Sequence, residues 1–184
     1  MKTLFLSLLC VCILTTANAQ KTLPDVKVGT IMYATALVNG SDFPVELSIK
    51  SLSAPFSIGW SVEGYGEGSF DMSNKALDSA MNISSSGQPA LGATKLNDNE
   101  TFGIISRTAY KSLAATKTFT YSGMKYKVKT PDNAPFKLGG KEIDVTHVTT
   151  EDGKIELWIL NNPTFPLILQ SSGLETDITV SEIK

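Results

Sequence analysis

Apolar and polar residues alternate with a period of two along most of this chain, and turn-forming residues interrupt the alternation about every ten positions, the signature of short antiparallel strands. Lys154–Leu160 is the clearest case. Ile155, Leu157 and Ile159 fall on one side, and Lys154, Glu156, Trp158 and Leu160 on the other. That second side turns apolar toward its end, which predicts cover on both faces there. Asp152-Gly153 ahead of it is a hairpin turn, because both residues tolerate positive φ. Upstream, in Glu142–Thr150, Ile143, Val145 and His147 oppose Asp144, Thr146 and Val148. Asn161-Asn162-Pro163 breaks the chain, and Phe165, Leu167 and Leu169 then share a face. Pro166 cannot donate to a ladder, so it marks an edge, a strand start or a bulge. After the turn at Ser171–Gly173, Leu174, Thr176, Ile178 and Val180 line the last strand.

The same reading extends to the first half. Val26–Val38 is expected to be one long strand, with Val26, Val28, Met32, Ala34 and Ala36 inward and Ile31, Tyr33 and Leu37 on a face also covered in its middle. Asn39-Gly40 turns it back into Val45, Leu47 and Ile49. Phe56, Ile58, Trp60 and Val62 repeat the pattern, and Phe70 and Met72 continue it. Gly59, Gly64, Gly66 and Gly68 between them predict a strongly bent sheet, since glycine within strands marks bends, bulges or close approach. Ser73 and Ser106 are placed to cap two short helices, Asn74–Met81 with Leu77, Ala80 and Met81 inward, and Arg107–Ala114 with Ala109, Tyr110, Leu113 and Ala114 inward. Ser84–Asn99 reads as a loop. Phe119 and Tyr121 lead through Ser122-Gly123 to Met124, Tyr126 and Val128, whose alternate residues Lys125, Lys127 and Lys129 form a solvated, edge-protecting face. The expected fold is mainly β with two short helices: a single curved antiparallel sheet forming an unclosed β-barrel packed on helices.

The first nineteen residues read as a signal peptide. Lys2 precedes the apolar stretch Leu4–Leu14, and Ala17-Asn18-Ala19 is a small-residue cleavage site. The apolar stretch is too short to span a bilayer. Leu9 stands before Cys10, where a lipoprotein signal needs a small residue. Residues 20–184 are expected to form a single β-rich domain in the periplasm or outside the cell. Both cysteines, Cys10 and Cys12, lie in the leader, which excludes a disulfide scaffold, cysteine catalysis and cysteine-ligated zinc for the remainder. A net charge of −2 without a basic run argues against nucleic acid, and no second apolar stretch is long enough for an integral membrane span.

Candidate chemistry is sparse. His147 is the sole histidine, so multi-histidine metal sites are excluded, and its place beside Ile143 and Val145 favours a half-buried strand residue over a general base. Ser122-Gly-Met-Lys125 matches the S-x-x-K spacing of serine acyl-enzymes, but it straddles a hairpin and no K-T-G follows. Gly64-Tyr-Gly66-Glu-Gly68 lacks the lysine and the strand-to-helix setting of a phosphate loop and reads instead as a bent strand. Glu63 with Glu67, or Asp98 with Glu100, would make a carboxylate pair for glycoside hydrolysis, without the clustered aromatics such sites use. Asn39, Asn82 and Asn99 open N-glycosylation sequons. No cofactor and no metal is expected.

What remains is a surplus of large apolar residues on strands that are apolar on both faces. A curved sheet can leave a concave apolar cavity, with Met32, Trp60, Phe70, Met72, Trp158 and Leu160 as the candidate ligand-binding lining; the competing reading is that all six fill a core.

The order of elements resembles periplasmic proteins of the lipoprotein-carrier type. The similarity is closest in Gly153-Lys-Ile-Glu-Leu-Trp158, Pro166-Leu167 and the closing Glu182-Ile-Lys184. The resemblance implies an unclosed β-barrel covered by helices and a lipid-facing cavity, and no catalytic residue. Arg107, the sole arginine, has no match to the arginine those carriers hold near the lid. The expected function is an exported, non-catalytic binding protein sheltering a lipid or other apolar small molecule. The alternatives are an envelope structural or protein-interaction module with a filled core, partnered by an envelope protein, and a small hydrolase.

Overall fold

The computed structural model describes residues 21–84, 89–130 and 135–184. The expected leader, Cys10 and Cys12 lie outside the described residues. The first long strand is β1 (Ile31–Val38), which turns at Asn39-Gly40 into β2 (Ser41–Ser51). Both turn residues have positive φ, 50° and 79°, as a tight hairpin requires. β3 (Phe56–Val62) and β4 (Gly66–Met72) form the next hairpin. Then follow α1 (Asn74–Ser79), β5 (Asn82–Ile83), β6 (Gly92–Lys95), β7 (Glu100–Thr101) and α2 (Arg107–Thr116). The second half comprises β8 (Thr118–Tyr121), β9 (Met124–Val128), β10 (Lys137–Leu138), β11 (Lys141–Glu142), β12 (Val145–Thr150), β13 (Glu156–Leu160), β14 (Ile168–Ser172) and β15 (Thr176–Ile183).

Eleven of these strands make one curved, unclosed sheet in the order β6-β4-β3-β2-β1-β15-β14-β13-β12-β9-β8. Every ladder in it is antiparallel except β4 with β6, so the sheet is mixed, with a single parallel edge. β6 lies within the stretch expected to be a loop. Gly-Ala-Thr-Lys carries no apolar alternation, and its pairing with β4 rests on backbone groups; the connection through α1 supplies the length that a parallel crossover needs.

Both caps form as expected. Ser73 Oγ accepts from the Ala76 N–H at 3.1 Å, and Ser106 Oγ from the Ala109 N–H at 3.3 Å. α1 is shorter than expected, leaving Met81 outside it and exposed, while Ala76, Leu77 and Ala80 are buried. α2 runs one half-turn further than expected, to a left-handed cap at Lys117, and buries Ala109 and Leu113 but not Ala114. Val28 is exposed as well, because a turn at Gly29 (φ 88°) precedes β1 and ends the strand pattern there. Leu37 is exposed too, so the second face of β1 is not covered at that end.

The gap between the outer strands β6 and β8 is bridged by the chain around β5 and β7. Ser122 N–H donates to Met81 O at 2.6 Å, Ile83 N–H to Ser122 Oγ at 3.0 Å, and the Tyr121 hydroxyl meets Thr101 Oγ1 at 2.8 Å. An ion pair of 2.6 Å between Arg107 and Asp78 joins the two helices. Residues 102–105 cross the inner side of the sheet onto the start of β14, through Ile168 N–H to Gly103 O at 2.9 Å and Ile105 N–H to Pro166 O at 3.2 Å. This crossing divides the interior. Ile104 belongs to a core shared with β1–β4 and α1, and Ile105 to a second core shared with α2, β8, β9, β12 and β13.

Candidate ligand-binding cavity

Register decides which side chains share the concave face. Met32 pairs with Leu47, Leu47 with Trp60, and Trp60 with Gly68, giving one row across four strands. The neighbouring rows are Ile49, Ile58 and Phe70, and Val45 with Val62 on the other side. On the far flank of β1, Ala34, Ala36 and Val38 face Val180, Ile178 and Thr176. Gly68 has a steric reason to be glycine. A Cβ there would stand 2.7 Å from Trp60 Cζ2 and 2.5 Å from Gly92 O, so its absence lets the indole lie across β4 while β6 stays paired.

These rows enclose a cavity of about 490 Å³, within the usual range for small-molecule sites. Its floor is Met32, Val45, Leu47, Ile58 and Trp60. Phe102, stacked on Phe70 with ring centroids 4.0 Å apart, roofs it together with Gly103, Leu167 and Ile168. The antiparallel ladders place the turns after β1, β3 and β14 at one end of the sheet, and that end supplies Asn39, Phe43, Tyr65, Glu175 and Thr176 to the lining. Tyr65 stacks on Trp60 at 5.8 Å and donates its hydroxyl to Pro89 O at 2.8 Å.

The walls are mostly apolar, and the polar side chains among them are Asn39, Ser84, Ser171, Glu175 and Thr176. The Trp60 indole N–H and the Thr176 hydroxyl find no hydrogen-bond partner among the described residues. Leaving a buried polar group unpaired costs about 1–3 kcal/mol, so such groups are uncommon in a settled core.

Of the six lining residues expected from the sequence, Met32, Trp60 and Phe70 meet in this cavity and the other three do not. Met72 is fully buried beside Phe56, where α1 begins immediately after β4 and covers the strand end. Leu160 is fully buried in the core with Ile143 and Leu167, its N–H donating to Leu167 O at 2.8 Å. Trp158 points from the opposite face of β13, stacked on His147 at 3.9 Å. Val45, Phe43, Phe102 and Ile178 are lining residues that the reading for a site passed over. The alternation already put Val45 and Ile178 inward, and Phe102 sat in a short apolar run, but nothing local separates a residue beside a void from one in a core.

The residues with chemical potential lie elsewhere. His147 Nε2 and Glu156 Oε2 are 2.7 Å apart, and Lys129 donates to Glu156 Oε1 at 2.6 Å. Lys129, then His147, hold the Glu156 carboxyl below its ordinary range against the opposing effect of burial. Ser122 lies in the β8–β9 turn (φ 50°) and Lys125 pairs with Glu151 at 3.0 Å, so the S-x-x-K spacing brings no pair together. Gly64 and Gly66 sit at the β3–β4 hairpin with φ of 75° and 137°, a turn rather than a bend within one strand. Asp98 accepts from Ser73 Oγ at 2.7 Å, a contact that lowers its pKa, while Glu100 accepts from Asn97; both serve the chain around α1 and β7. Among the described residues no group of three or more His, Cys, Asp or Glu is placed to hold a metal ion, and no helix is long and apolar enough to cross a membrane. No protein-family model, no curated protein and no solved structure matches the chain.

Proposed function

We propose that this chain is a non-catalytic binding protein that shelters an apolar small molecule, a lipid or a compound with a lipid-like body, on the concave face of its unclosed sheet. The observation that carries the reading is the cavity of about 490 Å³, walled by Met32, Leu47, Trp60, Phe70 and Phe102, in the half of the molecule where the same strand pattern would otherwise build a core. Close packing is the rule in protein interiors, and voids much larger than a water molecule are few. The void weighs against the interaction module with a filled core. His147, the best candidate base for a hydrolase, is not among the residues that line it. The leader expected at residues 1–19 would send the chain to the periplasm or outside the cell, where an apolar compound needs a carrier to cross water.

Native mass spectrometry of the purified chain, followed by organic extraction, tests the proposal. The expected result is a non-covalent adduct that extraction removes and an apolar dye displaces. A chain that carries nothing and takes up no apolar dye overturns it.

A further inference from the structure

The polar features of the cavity constrain the head of its occupant, on the premise that the cavity binds an apolar molecule at all. Among the described residues Glu175 is the sole one of the lining that is charged at neutral pH, and it stands exposed at the mouth. No lysine or arginine lines the cavity among the described residues. A carboxylate or phosphate drawn into these walls would lose its hydration without gaining a counter-charge, and would meet Glu175 on the way in. The Trp60 indole N–H and Thr176 Oγ1 do not help an anion either, since both atoms are buried beyond the reach of a molecule as small as water. An uncharged ester or alcohol carries no ionic desolvation penalty. We infer that the cavity selects uncharged apolar molecules and discriminates against fatty acids and other anionic lipids.

Four probes of one chain length separate the contributions: methyl dodecanoate, dodecanol, dodecanoate and dodecane, each measured by competition against an apolar dye. The ester and the alcohol are expected to bind at least about tenfold more tightly than the carboxylate, the scale of burying an unpaired anion against a neutral oxygen. Glu175→Gln, an exposed change that does not threaten folding, is expected to improve dodecanoate alone, by about two- to threefold. Dodecanoate binding as tightly as the ester overturns the selectivity while leaving apolar binding intact. Failure of all four probes to bind overturns this inference and the binding function together.

Discussion

The two halves of the inner face are built from the same material and end in different states. Around β8, β9, β12 and β13 the interior is filled. Phe119 stacks on its cross-strand neighbour Tyr126 with centroids 5.0 Å apart, and Ala109 and Leu113 of α2 close over them together with Leu157 and Ile159. Around β1–β4 and β15 the strands are at least as apolar, yet the covering helix has six residues and starts beside Met72, at the end of the sheet away from the three turns. Phe102 and Gly103 cross over the middle, and nothing among the described residues fills the space beyond them. An apolar strand face therefore specifies that it will be covered, but the length and position of the covering segment decide whether a core or a cavity results.

The largest expected effect tests that contrast directly. Phe119→Ala removes a ring that is 3% exposed and packed on both sides, and should cost about 3–5 kcal/mol in urea unfolding. Val45→Ala, at the edge of the void, removes atoms that already lack neighbours on one side, and should cost about 1 kcal/mol or less while reducing uptake of an apolar dye. Comparable losses at the two sites would mean that the cavity half is as tightly packed as the other. Next in size is Gly68→Ala. The added methyl meets Gly92 O and the indole of Trp60, neither of which can yield without moving β6 or the cavity floor, and about 1–3 kcal/mol of destabilisation with lost dye binding is expected. Gly59→Ala, whose methyl would meet the side chains of Lys50 and Ser48 and no backbone atom, is the milder comparison, since the long lysine can swing aside and the Ser48 hydroxyl can rotate away.

How far the sequence foretold this division follows from what kind of information each feature needs. Turns at Asn39-Gly40, Ser122-Gly123 and Asp152-Gly153, and caps at Ser73 and Ser106, depend on neighbours within a few residues, and all of them form. The strands form with shifted ends: the one expected over Val26–Val38 begins at Ile31, and β14 runs to Ser172, into the expected turn. β6 depends on a partner strand and has no apolar signal of its own. The site lies between these cases. Met32, Trp60 and Phe70 reach the cavity because register carries one face across β1–β4. Trp158 and Leu160 alternate together in sequence and keep one register with β12, but Trp158 stacks on His147 while Leu160 is buried with Ile143 and Leu167. Met72 differs from Phe70 only in lying next to the start of α1.

A smaller pair of substitutions sharpens the picture of the filled half. Tyr121 and Tyr126 are both fully buried, but the Tyr121 hydroxyl bonds Thr101 Oγ1 at 2.8 Å and accepts from the Ser106 N–H at 3.1 Å, whereas the Tyr126 hydroxyl has no partner among the described residues. Burial pushes the Tyr126 pKa up to about 12. Tyr121→Phe should cost about 1–2 kcal/mol, and Tyr126→Phe should be neutral or stabilising by up to about 1 kcal/mol, because it removes a polar atom that was never paired. A large loss at Tyr126 on thermal or urea unfolding would reveal a partner for its hydroxyl.

The smallest expected effect lies on the outer face of that same half, where a polar cluster takes the place of packing. Glu156 is held ionised by Lys129 first and by His147 second, so its folded pKa lies below the unfolded value of 4.5. A depressed carboxyl contributes stability that is present in full above the unfolded value and is lost as the pH falls through the folded one. Lys129 is 41% exposed, and solvent screening keeps the contribution small. Urea midpoints measured from neutral pH down through this acid range should fall less steeply for Glu156→Gln than for the native chain. An identical acid slope in the two proteins would show that the Lys129–Glu156–His147 cluster adds nothing to the stability of the filled half and that its packed core stands without it.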